Sequence, residues 1–391
     1  MPAYDVKWFK HDMPGAPVLT GEPGMLIGLL DACLLNGWGL VSVDSLTFDS
    51  NTGEATLTVT GGHGFIVDQV ILISGANEAE FNGEQRVTWI DSTTVKFNPV
   101  HIPQVATASG SITAKVAPQG SWGKPFSSGD NLKAIYQSSS PDRLSSAGLR
   151  VDDSNTATGW NGYGANSIIE SVGLFTDLDT TSEQFEALNY KLIKKSDAAN
   201  NTIREWCLIA DQRLIYLFIN HQAASGLPMA AYTWGEVISY KDQDAHAVLS
   251  LIGSNTSTGY SPTSFGLLGS NLGSSIQRAY DGVSLSESIE LIGVEVGYNF
   301  MGGFNANPYP CPIDNSVALT DRVFIREPVG FRGEMPGLGY PLHRTPLPHL
   351  SFQIVPWRSS SAKIKVISIK KAPQSSHDGQ LFIDIEGPWR A

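Results

Sequence analysis

Residues 54–60 alternate strictly. Ala55, Leu57 and Val59 are apolar, while Thr56, Thr58 and Thr60 between them are polar. A period of two places successive side chains on opposite faces of a strand, so this run predicts a half-buried β-strand. Val70-Ile71-Leu72-Ile73 then reads as a buried strand, and residues 86–90, 94–97 and 111–116 as further short strands. Gly61-Gly62-His63-Gly64 punctuates the series, and Asn82-Gly83 carries the chemistry of a two-residue hairpin turn. Short strands spaced about ten residues apart, with turn signals between them, predict a small β-barrel or sandwich. Its expected span is residues 44–117.

The flanking sequence reads differently. Residues 1–23 carry Pro2, Pro14, Pro17 and Pro23 and read as an irregular arm. Met25, Leu26, Leu29, Leu30 and Cys33 follow at helical spacing, and Asn36-Gly37 is a stop signal, so one short helix is expected before the barrel. After Pro118 the chain becomes loop-rich. Strands are expected at 149–151, 168–174, 206–210, 214–220, 234–240 and 245–252, and three closing strands at 350–356, 363–369 and 380–386. Residues 253–277 are rich in Ser, Gly and Asn and read as an exposed loop, and residues 299–350 carry many Pro and Gly without a clear period. The expected fold is mainly β. An N-terminal arm and helix (1–43) lead into an inserted small β module (44–117), and a larger loop-rich, β-sandwich-like domain follows (118–391).

Charge and cysteine content narrow the function. Charged residues make up 16% of the chain, against roughly 25% in ordinary soluble domains. Such faces suit a protein covered by neighbouring subunits, and equally an ordinary β-rich protein with long polar loops. The net charge of -12 opposes a nucleic-acid partner, which requires a basic face. Cys33, Cys207 and Cys311 are far apart and odd in number, which fits neither a disulfide framework nor a zinc site and suits folding in a reducing cytoplasm. Residues 1–5 show no secretory leader. No apolar run approaches the roughly 20 residues of a membrane span.

The search for chemistry returns no catalytic constellation. Neither a G-x-S-x-G elbow nor an H-E-x-x-H motif is present. Gly120-Ser121-Trp122-Gly123-Lys124-Pro125 departs from a phosphate loop in spacing, and Pro125 stands where a magnesium-binding hydroxyl belongs. Gly162-Tyr163-Gly164 lacks the third glycine of a dinucleotide turn. Asp152-Asp153, Asp177 with Asp179, and Asp242 with Asp244 offer oxygen ligands for calcium, but Asx turns explain them more simply. Asp242, Asp244 and His246 alternate on one strand face, a pattern open to a transition metal or to a solvated edge. No catalytic, cofactor or metal residue is assigned. The expected chain is not an enzyme.

Several segments resemble a family of tailed-bacteriophage virion proteins. They are Val6-Lys7-Trp8-Phe9 with Met13-Pro14-Gly15-Ala16-Pro17, and the stretch LLDACLLNGWG from Leu29 running into Val43-Asp44-Ser45-Leu46. Leu149-Arg150-Val151-Asp152-Asp153, the hairpin at 206–218, residues 235–241, and the ending Phe382-Ile383-Asp384-Ile385-Glu386-Gly387-Pro388-Trp389-Arg390 belong to the same set. Residues 62–97 are separately similar to a small β-domain of phage tail and baseplate proteins. That likeness rests on Gly62-His63-Gly64-Phe65, Asp68, Val70, Ile73-Ser74-Gly75-Ala76, Phe81-Asn82-Gly83 and residues 93–97. The resemblance implies a structural subunit at the tail tip, baseplate or fibre attachment region, made in the host cytoplasm and resident in the virion tail. It implies other tail proteins as partners, contact with the host surface, and a homo-oligomer, trimeric or hexameric. The alternatives are a head, neck or decoration protein, or a receptor- or glycan-binding adhesin. In such an assembly Trp8, Phe9, Phe300 and Phe304 are expected to be covered by neighbouring subunits.

Overall fold

A computed structural model of the chain describes residues 4–154, 168–179, 181–185, 195–196, 199–220, 230–241, 244–250, 255–256, 259–260, 275–276, 290–292, 315–320, 322–327, 330–339, 352–358, 363–370 and 380–390. The fold is mainly β and sandwich-like, with one short α-helix among the described residues, Met25–Leu30. That helix continues as a π-helical stretch, Asp31–Asn36, and stops at Gly37, where φ is 65°. A Cβ on Gly37 would lie 2.0 Å from the Val116 carbonyl oxygen, so the turn into the next strand admits only glycine.

Residues 38–116 form a seven-stranded sheet that closes on itself. The order is Trp38–Ser42, Gly110–Val116, Val70–Ala76, Gly83–Ile90, Thr94–Phe97, Glu54–Thr58 and Ser45–Asp49. Trp38–Ser42 runs on into Ser45–Asp49. Closure is completed where Phe48 N–H donates to the Ala106 carbonyl and Ala108 N–H to that of Leu46. The alternation explains the interior. Leu46, Phe48, Ala55, Leu57, Val95, Phe97, Ile112, Ala114 and Val116 all point inward and are buried. Each large side chain buried this way stabilises the fold by roughly 1.5–3 kcal/mol. The barrel takes in Trp38–Ser42, ahead of residue 44. Asn82-Gly83 is not a two-residue turn, because Asn82 is extended at φ -80° and ψ 158°, whereas that turn needs positive φ. Instead Asn82 Oδ1 accepts the Ala76 N–H at 3.0 Å and Nδ2 donates to the Ala76 carbonyl at 2.7 Å, shaping a longer loop.

The second unit is centred on a six-stranded antiparallel sheet, ordered Lys7–Lys10, Trp206–Ala210, Leu214–Ile219, Ala230–Glu236, His246–Ser250 and Ser275–Ile276. The hairpin 206–219 is apolar throughout rather than alternating because both its faces are covered. On one side Phe9 meets Trp38 at 5.5 Å between ring centroids. A five-stranded sheet (Trp122–Ser127, Lys133–Ser138, Gly148–Asp152, Ile168–Phe175, Thr181–Phe185) abuts the hairpin turn through Trp122 and Ser138. On the other side Tyr216 donates to the Pro336 carbonyl at 2.7 Å and meets Trp389 edge-on. Leu338–Gly339, Gln380–Asp384, Lys363–Lys370, Ile354–Arg358 and Val317–Ala318 form a mixed sheet there, and a four-stranded sheet holds Ile238–Ser239, Gly330–Glu334, Phe324–Glu327 and Glu290–Ile292.

The N-terminal arm differs from the sequence expectation. Lys7–Lys10 is an edge strand of the central sheet, and Val6, Trp8, Phe9, Met13 and Leu19 are buried within their own chain. Trp8 and Phe9 therefore need no neighbouring subunit to cover them, while Phe300 and Phe304 lie outside the described residues. The barrel flanks this edge. Trp8 Nε1 donates to the Asp68 carbonyl at 3.1 Å, and Arg86 donates to the carbonyls of Ile385 and Val6. Lys7, fully buried, gives its ammonium to the Pro118 carbonyl (2.6 Å), the Gln119 carbonyl (3.0 Å) and the Glu84 carboxylate. Burial pulls its pKa down and Glu84 opposes that shift.

Candidate functional site

A polar cluster is built on the turn between the two central strands, Trp206–Ala210 and Leu214–Ile219. Asp211 Oδ1 accepts the backbone N–H groups of Arg213 (2.7 Å) and Leu214 (2.5 Å), the bonding of an Asx turn. Asp211 Oδ2 accepts Arg390 Nε at 2.7 Å, which brings the C-terminal segment onto the turn. Gln212 Nε2 donates to Asp5 Oδ1 at 2.7 Å, which brings the N-terminal segment to the same place. Ser138 Oγ donates to the Gln212 carbonyl at 2.8 Å, and Trp122 Nε1 to the Asp211 carbonyl at 3.0 Å. Behind the turn lies Glu236, whose carboxylate accepts the N–H groups of Leu144 and Ser145 at 2.7 Å each and faces Arg213 at 3.5 Å. Burial raises the Glu236 pKa, against the pull of the Ser145 N–H and Arg213. A cleft of about 120 Å³ opens here, lined by Asp5, Ser140, Asp142, Gln212, Arg213 and Arg390 among others.

Chemically this cleft is a clasp. Asp211 and Asp5 are engaged by donors, Arg213 donates to the Asp142 carbonyl at 2.6 Å, and Arg390 also donates to the Glu236 carbonyl. The bonds join both ends of the described chain to one hairpin. The lining side chains include one hydroxyl, Ser140, whose Oγ donates to Gln212 Oε1 at 3.2 Å.

The carboxylates singled out by sequence are dispersed. Asp177 Oδ1 accepts the Asp179 N–H at 2.8 Å, and Asp152 Oδ1 accepts the Ser154 N–H at 3.0 Å, so both are Asx turns. Asp152 also pairs with Lys133 at 3.0 Å. Asp153 does something the sequence does not reveal. It is buried, accepts the backbone N–H groups of Leu26 (2.7 Å) and Ile27 (3.4 Å), and forms a fully buried ion pair with Lys195. Breaking one partner of such a pair costs roughly 3–5 kcal/mol.

Asp242 lies outside the described residues. Asp244 is buried against Arg332 at 3.6 Å, and His246 is buried opposite Glu236 in the sheet register. The strand face that sequence left open to solvent or metal is therefore covered. His246 Nδ1 has no hydrogen-bond partner among the described residues, and burial depresses its pKa to about 3. Lys124, in the stretch compared with a phosphate loop, pairs with Asp31 at 2.8 Å. Gly162-Tyr163-Gly164 and Cys311 fall outside the described residues, while Cys33 and Cys207 are buried free thiols. Among the described residues no group of three or more His, Cys, Asp or Glu is placed to hold a metal ion, and no helix is long and apolar enough to cross a membrane. No family model matches the sequence, and no curated protein matches it.

Proposed function

We propose that the chain is a structural subunit of a tailed-phage virion, at the tail tip, baseplate or fibre attachment region, acting as a homo-oligomer and without catalysis. The sequence resemblance motivates the reading. The observation that carries it is the surface of the barrel. Of the eleven large apolar side chains exposed among the described residues, six belong to residues 38–116: Leu40, Val67, Trp89, Val100, Ile102 and Val105. Leu40 is 68% and Ile102 69% exposed. The loop holding Val100, Ile102 and Val105 follows the strand Thr94–Phe97, while the barrel interior is already filled. Three exposed apolar side chains within one loop, Val100, Ile102 and Val105, are a feature suited to contact with another protein. In this reading the central sheets are the body and the barrel is the part that contacts neighbouring tail proteins.

An antibody raised against the purified chain should decorate one end of the tail in electron micrographs of intact virions. Labelling of the head or neck would favour the decoration reading, and absence of the chain from purified particles would sink both.

A second reading has its own support. On the four-stranded sheet Tyr240 and Phe331 are half-exposed, Phe331 meets Phe324 edge-on at 5.5 Å, and Glu334 accepts hydrogen bonds from Tyr240 and Arg322. Exposed rings beside charged donors and acceptors suit a sugar, which stacks on one and bonds to the other. Binding to a glycan array, lost in Tyr240→Ala, would move the assignment towards a receptor-binding adhesin.

A further inference from the structure

Asp153 and Lys195 carry more than an ion pair requires. Both side chains are completely removed from solvent. The backbone of Asp153 is pinned, its N–H donating to the Leu132 carbonyl at 2.7 Å and its carbonyl accepting the Gly24 N–H at 3.0 Å. Its two carboxylate oxygens have different partners. Oδ1 takes the Lys195 ammonium, while Oδ2 accepts the N–H of Leu26 at 2.7 Å and that of Ile27 at 3.4 Å. Lys195 Nζ is held from a second side by the Glu22 carbonyl. An amine is thus fixed against a carboxyl group, in a dry site, with two donors aimed at the carboxyl oxygen that the amine does not hold.

We propose that Asp153 and Lys195 form a self-catalysed isopeptide bond, joining Lys195 Nζ to Asp153 Cγ with loss of one water.

The ammonium first passes a proton to Oδ1, giving a neutral amine and a carboxylic acid. Burial draws the Lys195 pKa down, against the opposing pull of Asp153. The nitrogen lone pair then attacks Cγ, the C–N bond forms, and the carbonyl electron pair moves onto Oδ2. The Leu26 and Ile27 N–H groups receive that developing negative charge, in the manner of an oxyanion hole. On collapse the Cγ–Oδ2 double bond re-forms, the Cγ–Oδ1 bond breaks, and Oδ1 leaves as water with a second proton taken from nitrogen. Ammonium and carboxylate have become a secondary amide and water, with no oxidant or cofactor consumed. Fixed proximity supplies the entropy that the same condensation lacks between free molecules. The product closes a covalent loop across a sequence separation of 42 residues, tying the end of strand Gly148–Asp152 to the segment beyond it. This inference does not rest on the virion assignment.

The test is the intact mass of the full-length chain under denaturing conditions, after purification and prolonged warm incubation. The expected mass is one water below that calculated from the sequence. Fragmentation of a protease digest should yield a branched peptide containing both Asp153 and Lys195. Lys195→Met, which keeps side-chain length but removes the amine, should retain the full mass. If that variant does not fold, the wild-type measurement still decides. A wild-type chain that keeps its full mass overturns the proposal, and so does a water loss that maps to a linear peptide elsewhere.

Discussion

Gly235 shows how much one residue can carry. Its φ is +120°, and a Cβ there would fall 2.1 Å from the Arg213 carbonyl oxygen and 2.9 Å from the Leu214 Cα. Both obstacles are backbone, on the turn that holds the terminal clasp. Gly235→Ala should therefore destabilise the protein by roughly 3 kcal/mol or more, read as a fall in the urea midpoint. His246 makes a second prediction, through pH. Its folded pKa of about 3 lies below the ordinary value of 6.5, so between these limits the unfolded chain binds a proton that the folded chain refuses. The contribution is fully present above pH 6.5 and is lost as pH falls towards 3, at up to roughly 1.4 kcal/mol per pH unit. Urea midpoints measured across this window should fall less steeply in His246→Gln than in wild type; parallel curves would remove His246 from the account. Sequence could not have signalled either residue. Gly235 is special because of its positive φ and the close approach of Arg213 and Leu214, and His246 alternates with Asp244 as it would on any solvated strand. Asp153 misleads for a related reason. In Asp-Asp-Ser the local turn belongs to Asp152, while Asp153 reaches partners 127 and 42 positions away.

Among the elements, legibility follows burial. The barrel strands have one face inside and one outside, so their alternation appears directly in the residues. The closing strands 354–358 and 380–384 are visible as short apolar runs, and 363–370 as Ile364, Val366, Ile367 and Ile369 set among Lys363, Lys365, Ser368 and Lys370. The edge strand Lys7–Lys10 is hidden because its four residues, two of them lysines, cannot show a period, and its partner lies some two hundred positions away. The clasp was invisible for the same reason, since Asp211-Gln212-Arg213 reads only as a turn until Asp5 and Arg390 are brought to it. Two tests belong at this scale. A fragment spanning residues 37–118 keeps every barrel strand and should melt cooperatively, whereas 44–117, which lacks Trp38–Ser42, should melt lower or not at all. In the isolated full-length chain, amides of Lys7–Lys10 should resist hydrogen exchange, because that strand is paired and buried without any partner protein. Rapid exchange there would mean that the strand is docked only in an assembly.

For the whole molecule, the distribution of apolar surface sets the expectation. The central hairpin is buried on both faces, while the barrel exposes its apolar loop. Ile102→Asp should leave the monomer's melting temperature within about 2 °C, since surface substitutions usually change stability by under about 0.5 kcal/mol. Under the proposed assembly role, the same change should weaken self-association or binding to other virion proteins, read by light scattering or pull-down. Unchanged association would remove the barrel loop as the contact surface.

The pairing of Lys7–Lys10 with Trp206–Ala210 also constrains the order of events during synthesis. The barrel uses only residues 38–116, so it can close while the ribosome is still making the remainder. The first strand has no such option. Asp5 and Gln212 are separated by 207 positions. The N-terminal segment has early partners at Trp38, Asp68, Glu84 and Pro118, but its strand edge stays unpaired until the central hairpin emerges. Contacts this distant are slow to form and leave apolar segments open to misassociation. Of the strands in the central sheet, Lys7–Lys10 therefore waits longest for its partner, and co-expression of a chaperone that binds nascent chains should raise the soluble yield.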